Sequence, residues 1–166
     1  MWATDITYIR LGAGFVYLLV IMDWHSRFVI EWELSTSLEA AVFVETLKLA
    51  LEKGKPEIFN SDQGSQFTAL EWLKVLQVSD VRISMDGRGR CFDNIFVERL
   101  WRTVKYEEVY LKEYVNVWET EVSLRNYFDF YNYRRPHQSL EYKTPFEIYQ
   151  TDLKTRENKG VKTANL

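Results

Sequence analysis

Apolar and polar residues alternate through WATDITYIR at residues 2–10, with β-branched and aromatic side chains, and this pattern predicts a strand. Leu11-Gly12-Ala13-Gly14 reads as a turn. Phe15 to Asp23 is apolar almost throughout, as expected of a central strand covered on both faces. After Trp24-His25-Ser26-Arg27, Phe28 to Leu34 gives a third strand, and connections this short make the three an antiparallel meander. The period then lengthens to that of a helix from about Leu38 to Glu52, capped from within Ser35–Ser37 and stopped by Gly54. Leu38, Ala41, Val42, Val44, Leu47 and Leu51 lie toward its buried side.

Pro56 precedes a short strand, Glu57 to Asn60; Thr68 caps a helix to about Leu76; and Val81 to Ser84 forms a fifth strand. The loop Gly87-Arg88-Gly89-Arg90 follows. It leads into a strongly periodic helix, capped by Asp93 or Asn94, whose buried stripe is Val97, Leu100, Trp101 and Val104. A further helix from Val117 to about Tyr133 ends at Arg134-Arg135-Pro136, and Thr144-Pro145-Phe146-Glu147 is a complete helix-start signal. Residues 1–150 read as one domain and Thr151 to Leu166 as a polar, aperiodic tail. Three strands in a meander followed by alternating helices and strands call for a mixed sheet with helices on its faces.

Composition narrows the function classes. The 166 residues suffice for a core, and at 46% hydrophobic the body of the chain is folded. Cys91 is the single cysteine, which excludes an internal disulfide and a cysteine-built zinc site and fits a reducing cytosol. No apolar run is long enough to span a bilayer, so no membrane partner is expected. The net charge of −3 is unfavourable for a general nucleic-acid binder, but basic residues are concentrated locally. Arg82, Arg88, Arg90, Arg99, Arg102 and Lys105 fall in one stretch with only Asp86, Asp93 and Glu98 against them.

Three carboxylates stand out. Asp5 interrupts a strand, where aspartate is depleted and costly to bury without a partner; a half-exposed strand position is the plain alternative. Asp62 ends the fourth strand, where an Asx turn would also explain it. Glu98 shares a helix face with Arg102 and Lys105; such a face suits a metal beside a phosphate backbone, or ordinary solvated salt bridges. Phosphoryl transfer at DNA uses two divalent ions about 3.5–4 Å apart, and magnesium prefers carboxylate oxygens converging from separate elements.

These residues carry a resemblance. Trp2-Ala3-Thr4-Asp5-Ile6-Thr7-Tyr8, Asn60-Ser61-Asp62-Gln63-Gly64-Ser65-Gln66-Phe67, Asp93-Asn94 through Glu98 to Lys105, and Tyr131 through Leu140 with Thr144-Pro145 occur in order. Thirty-five residues separate Asp62 from Glu98. Together they resemble the catalytic domain of insertion-sequence transposases related to retroviral integrases, which carry an Asp–Asp–Glu triad. The resemblance implies a ribonuclease H-like α/β fold, a mixed five-stranded sheet with helices on both faces, and two Mg²⁺ or Mn²⁺ ions. It implies cleavage and strand transfer of DNA in transposition, with transposon ends and target DNA as partners.

Carried over by position, Asp5 would ligate both metals, Asp62 one and Glu98 the other. Lys105 matches a basic position that contacts DNA near the site. Arg88, Arg90 and Arg102 suit phosphates, and the glycines of the 87–90 loop suit backbone movement. Self-association, or a separate DNA-recognition subunit, is implied in the same way. Such proteins usually carry an N-terminal helical region that recognises the element's ends. The sequence starts at Met1, just ahead of the first strand, so the expectation is a core lacking that region. The alternative is a non-catalytic fragment that binds DNA or transposase subunits. Either would act in the bacterial cytoplasm, on the nucleoid. His25 and Asp23 read as turn residues, Cys91 as a small core filler, and Arg134, Arg135 and His137 as phosphate contacts or as a lock on the last helix.

Overall fold

The computed structural model describes residues 1–85 and 95–163, with side chains up to residue 155. The meander forms as β1 (Trp2–Leu11), β2 (Gly14–Asp23) and β3 (Val29–Ser35), joined in register with Asp5 opposite Val20 and Val20 opposite Trp32. Helix α1 (Ala40–Lys53), β4 (Ile58–Ser61), α2 (Leu70–Val78) and β5 (Arg82–Met85) follow. The order β3-β2-β1-β4-β5 makes one mixed sheet, antiparallel through the meander and parallel from β1 through β4 to β5. Helices α3 (Ile95–Glu107), α4 (Val117–Tyr133) and α5 (Pro145–Thr163) complete the chain.

The pleat of the sheet divides the core into two layers. Ala3, Ile9, Val16, Leu18, Val20 and Met22 face α3 and α4, meeting Val97, Leu100, Trp101, Val104, Leu124 and Phe128. Trp2, Leu19, Ile21 and Ile30 face the other way, onto Phe43 and Leu47 of α1 and Trp72 and Leu76 of α2. Strand β2 contributes to both layers, which explains its unbroken apolar run. The α3 stripe read from the sequence is buried at all four positions.

Three local expectations differ from the structure. Glu39 and Ala69 hold the cap positions of α1 and α2 without a side-chain bond. The hydroxyls expected there are used nearby: Ser35 Oγ accepts from the Ser37 N–H, and Thr68 Oγ1 donates to the Gly64 and Ser65 carbonyls. The buried face of α1 is Phe43, Val44, Thr46, Leu47 and Ala50, with Leu38 outside the helix and exposed. Finally, α5 runs to Thr163, through most of the stretch read as an aperiodic tail. Its start is the expected capping box, in which the Thr144 N–H donates to Glu147 Oε2 at 2.7 Å and the Glu147 N–H donates to Thr144 Oγ1 at 3.3 Å. The sequence from Thr151 onward carries few apolar residues, so no period announced the helix.

Candidate active site

Asp5 stands in the middle of β1 on the face covered by α3. Its carboxylate is half-buried and accepts two hydrogen bonds, from the indole Nε1–H of Trp101 to Oδ2 at 2.8 Å and from the Ile6 N–H to Oδ1 at 2.8 Å. Burial nevertheless holds its pKa above the usual aspartate value, and the charges of Asp62 and Glu98 push it in the same direction. The charges of two acidic groups distant in sequence therefore reach Asp5.

The parallel register explains how Asp62 comes near. Ala3 of β1 lies opposite Asn60 of β4, and two residues further along each chain come Asp5 and Asp62. Strand β4 ends at Ser61, so Asp62 is the first residue of the loop beyond the sheet and is exposed. Its Oδ1 accepts the Gly64 N–H at 2.8 Å, the Asx turn expected from the sequence. A side chain at residue 64 would push on the carboxylate: a Cβ there would stand 2.9 Å from Asp62 Oδ1 and 3.0 Å from Gln66 Oε1, both ends of side chains.

Glu98 lies in the first turn of α3 and is exposed, one turn before Trp101. The indole bond from Trp101 to Asp5 thus fixes the helix carrying Glu98 against the strand carrying Asp5. Further along that face, Arg102 is exposed, and the Lys105 ammonium sits 5.3 Å from the centre of the Tyr8 ring. Beside it opens a cavity of about 440 Å³ with Tyr8, Arg10, Lys105, Tyr110 and Lys112 in its walls. Arg88 and Arg90, the glycines between them, Cys91 and the expected cap residues Asp93 and Asn94 lie outside the described residues.

The other candidates have structural partners. Asp23 Oδ2 accepts from the N–H and the hydroxyl of Ser26 at 2.9 and 2.8 Å, closing the turn after β2. His25 Nδ1 meets Asp152 Oδ2 at 2.7 Å, tying that turn to α5. Arg135 forms a two-pronged pair with Glu107 at the end of α3, its Nε donating to Oε2 at 2.8 Å. Asn132 pairs with edge strand β3, exchanging hydrogen bonds with the N–H and carbonyl of Val29 at 2.9 Å each. Glu108, which the sequence reading passed over, is buried and accepts from Lys112, Tyr114 and Ser123. The indole of Trp101 and the backbone of Gly64 were also missed as site groups, because each reads from sequence as an ordinary core or turn residue.

The donor set suits a hard divalent cation. Asp5, Asp62 and Glu98 offer only carboxylate oxygens; burial is the main cause of the raised pKa of Asp5, and the charges of Asp62 and Glu98 add to it a repulsion that a cation would relieve. Among the described residues, no three acidic, histidine or cysteine side chains are gathered closely enough to enclose an ion. No helix among the described residues is long and apolar enough to cross a membrane.

Comparison with known proteins is consistent along the chain. An integrase core domain family model matches residues 1–91, and a second integrase core domain model matches residues 79–145. The transposase for insertion sequence element IS629 of Shigella sonnei is 29% identical over 149 residues, covering 89% of this chain and 50% of that protein. Transposase InsF for IS3A of Escherichia coli K12 is 32% identical over 139 residues, covering 81% of this chain and 48% of that protein. The chain thus spans about half the length of the curated relatives it matches. Among solved structures, the catalytic core domain of BIV integrase superposes with a TM-score of 0.74 at 17% identity, covering 94% of this chain and 97% of that one. The HTLV-2 integrase catalytic core domain in complex with magnesium gives 0.64 at 16% identity, covering 87% and 91%. These two share the fold, a ribonuclease H-like mixed sheet of five strands flanked by helices.

Proposed function

The chain belongs to the integrase core domain family, and on that premise we propose that it is the catalytic core of a DNA transposase, cutting and joining strands with divalent metal. One observation carries this reading: the charges of Asp62 and Glu98 both raise the pKa of Asp5, so carboxylates from the middle of β1, the loop after β4 and the first turn of α3 share one electrostatic neighbourhood. Residues 1–150 are proposed as the catalytic unit. Asp5 is proposed to ligate two Mg²⁺ or Mn²⁺ ions, Asp62 one of them and Glu98 the other. When bound, such ions would activate the attacking oxygen and stabilise the leaving one in an in-line displacement.

The protein's own groups have distinct tasks in this scheme. Trp101 and the Ile6 N–H hold the Asp5 carboxylate in orientation, and the Gly64 N–H does the same for Asp62. Lys105 and Arg102 lie along the face of Glu98, where they would meet the phosphates of a transposon end or target strand, with Arg88 and Arg90 proposed as further contacts. The cavity beside Tyr8 and Lys105 offers aromatic and cationic walls to a strand leaving the carboxylates. Association with further copies, or with a DNA-recognition subunit, is proposed from the retroviral relatives, one of which is described as an intasome and another as a dimer.

The test uses a labelled DNA end, manganese, the purified chain and its Glu98→Gln variant. Nicked or joined products from the unaltered chain alone support the proposal. Equal products from both proteins would reject the site, and no product from either would favour a non-catalytic protein that binds DNA or transposase subunits.

A further inference from the structure

On the flank of α3 away from Lys105 lies a second cavity, of about 160 Å³, that the phosphoryl-transfer scheme does not use. Arg27, from the turn between β2 and β3, forms one wall; Arg99 and Thr103 of α3 form another; Tyr131, His137 and Ser139 close it. No aspartate or glutamate lines it among the described residues.

Arg27 is held there at a cost. Its N–H donates to the Asp23 carbonyl at 2.9 Å to close the turn, and its φ of 65° is in the left-handed region that favours glycine. The side chain lies flat on Phe96, the guanidinium carbon 3.2 Å from the ring centre, and Arg99 approaches the same ring at 5.9 Å. Arg27 Nη1 is buried without a hydrogen-bond partner among the described residues. The nearest acid in sequence, Asp23, uses Oδ2 on Ser26. A buried guanidinium N–H left unpaired keeps the cost of its desolvation, so an acceptor belongs here.

The surroundings reinforce the deficit of negative charge. Burial lowers the Arg27 pKa to about 10, and the charge of Arg99 acts in the same direction, against the opposing pulls of Tyr131 and Asp23. Burial likewise lowers His137 to about 4, with Arg135 and Arg27 adding to the effect against the opposing pull of Glu107. Thr103 Oγ1 donates to the Arg99 carbonyl at 2.9 Å, so the two planar guanidinium groups and the neighbouring Ser139 and Tyr131 side chains make the donor set that matches the oxygens of a tetrahedral anion.

We propose that this cavity is a phosphate site, in which Arg27 and Arg99 grip the backbone of the DNA strand that crosses α3 from the carboxylates. The assignment of the phosphate to a DNA strand rests on the transposase reading above. Arg99 follows Glu98 directly in the chain, and exposed Arg102 lies between the two flanks, so one strand laid over the helix meets cations on both sides.

The experiment is a titration of the metal-free chain with inorganic phosphate, read by NMR at the arginine Nε–H signals. Its companion is the salt dependence of binding to a short duplex. The variants are Arg99→Gln and Arg27→Gly; the latter removes the guanidinium while relieving the left-handed backbone. Saturable shifts at Arg27 and Arg99 are expected, lost in either variant. The slope of log affinity against log salt is expected to fall by about one for each variant, as for loss of one phosphate contact. Unmoved arginine signals would overturn the site. Saturable phosphate binding with an unchanged duplex slope would overturn the DNA strand as its source and leave a free-phosphate site. Neither readout needs metal or cleavage, so failure of the catalytic reading shows separately, as equal products from Glu98→Gln.

Discussion

The indole N–H of Trp101 donates to Asp5 Oδ2 across 2.8 Å, joining residues ninety-six positions apart on α3 and β1. The bond satisfies a half-buried carboxylate whose pKa is raised by burial, and it ties β1 to α3, the helix whose first turn carries Glu98. Trp101→Phe keeps an aromatic ring but removes the donor. A loss of on the order of 2 kcal/mol is expected in urea unfolding, with most of it absent when Asp5 is already Ala in a double-mutant cycle. Additive losses would show that the bond contributes nothing.

Gly64 is expected to matter for activity more than for stability. Its missing Cβ would stand 2.9 Å from Asp62 Oδ1, the end of a side chain that can move aside. Gly64→Ala should therefore displace the carboxylate and weaken the bond it accepts at 2.8 Å, leaving the fold intact. Metal-dependent cleavage is predicted to fall by roughly tenfold or more, about 1.4 kcal/mol, with little change in Tm. Wild-type rates in the variant would contradict the role assigned to the turn.

Asn132 should behave in the opposite way. Its amide replaces a missing neighbour strand at the edge of β3 by pairing with both backbone groups of Val29. Asn132→Ala strands a buried donor and acceptor, and a cost of on the order of 2–3 kcal/mol is expected from urea midpoints. An unchanged midpoint would mean that water replaces the amide freely.

These three residues show what the sequence disclosed and what it withheld. The meander, the buried character of β2 and the α3 stripe were legible because period and composition are local properties. Asp5 and Asp62 were conspicuous because a carboxylate at a strand position or strand end is out of place. Trp101 was read only as core, since nothing local tells an indole N–H that it faces an acid on another element. The Arg27 cavity was equally hidden, because it gathers residues from a turn, the two helices α3 and α4 and the segment after α4. The helical continuation beyond Thr151 was missed for a different reason: a stretch with few apolar residues has no apolar period to read.

Acid should destabilise the protein in two stages. Burial lowers His137 from 6.5 to about 4, with Arg135 and Arg27 adding to it, and Arg135 holds Glu107 below the usual glutamate value. Both folded pKa values lie under their unfolded ones. Each group therefore contributes stability that is fully present above its unfolded pKa and lost as pH falls through its folded one. For His137 that window runs from 6.5 down to about 4, and for Glu107 it lies below 4.5. Thermal melts across this range should show Tm falling with pH, and His137→Gln should flatten the upper part of the fall. Parallel curves for the two proteins would contradict the assignment.

The central claim is that Asp5, Asp62 and Glu98 together hold the divalent ions. Manganese located by anomalous diffraction in crystals of the chain, soaked at saturating metal, tests it most directly. The account predicts anomalous peaks between these three side chains, with carboxylate oxygens about 2.0–2.3 Å from an ion and Asp5 common to both positions if two are filled. Peaks that avoid Asp5, or none at saturating manganese, would contradict it.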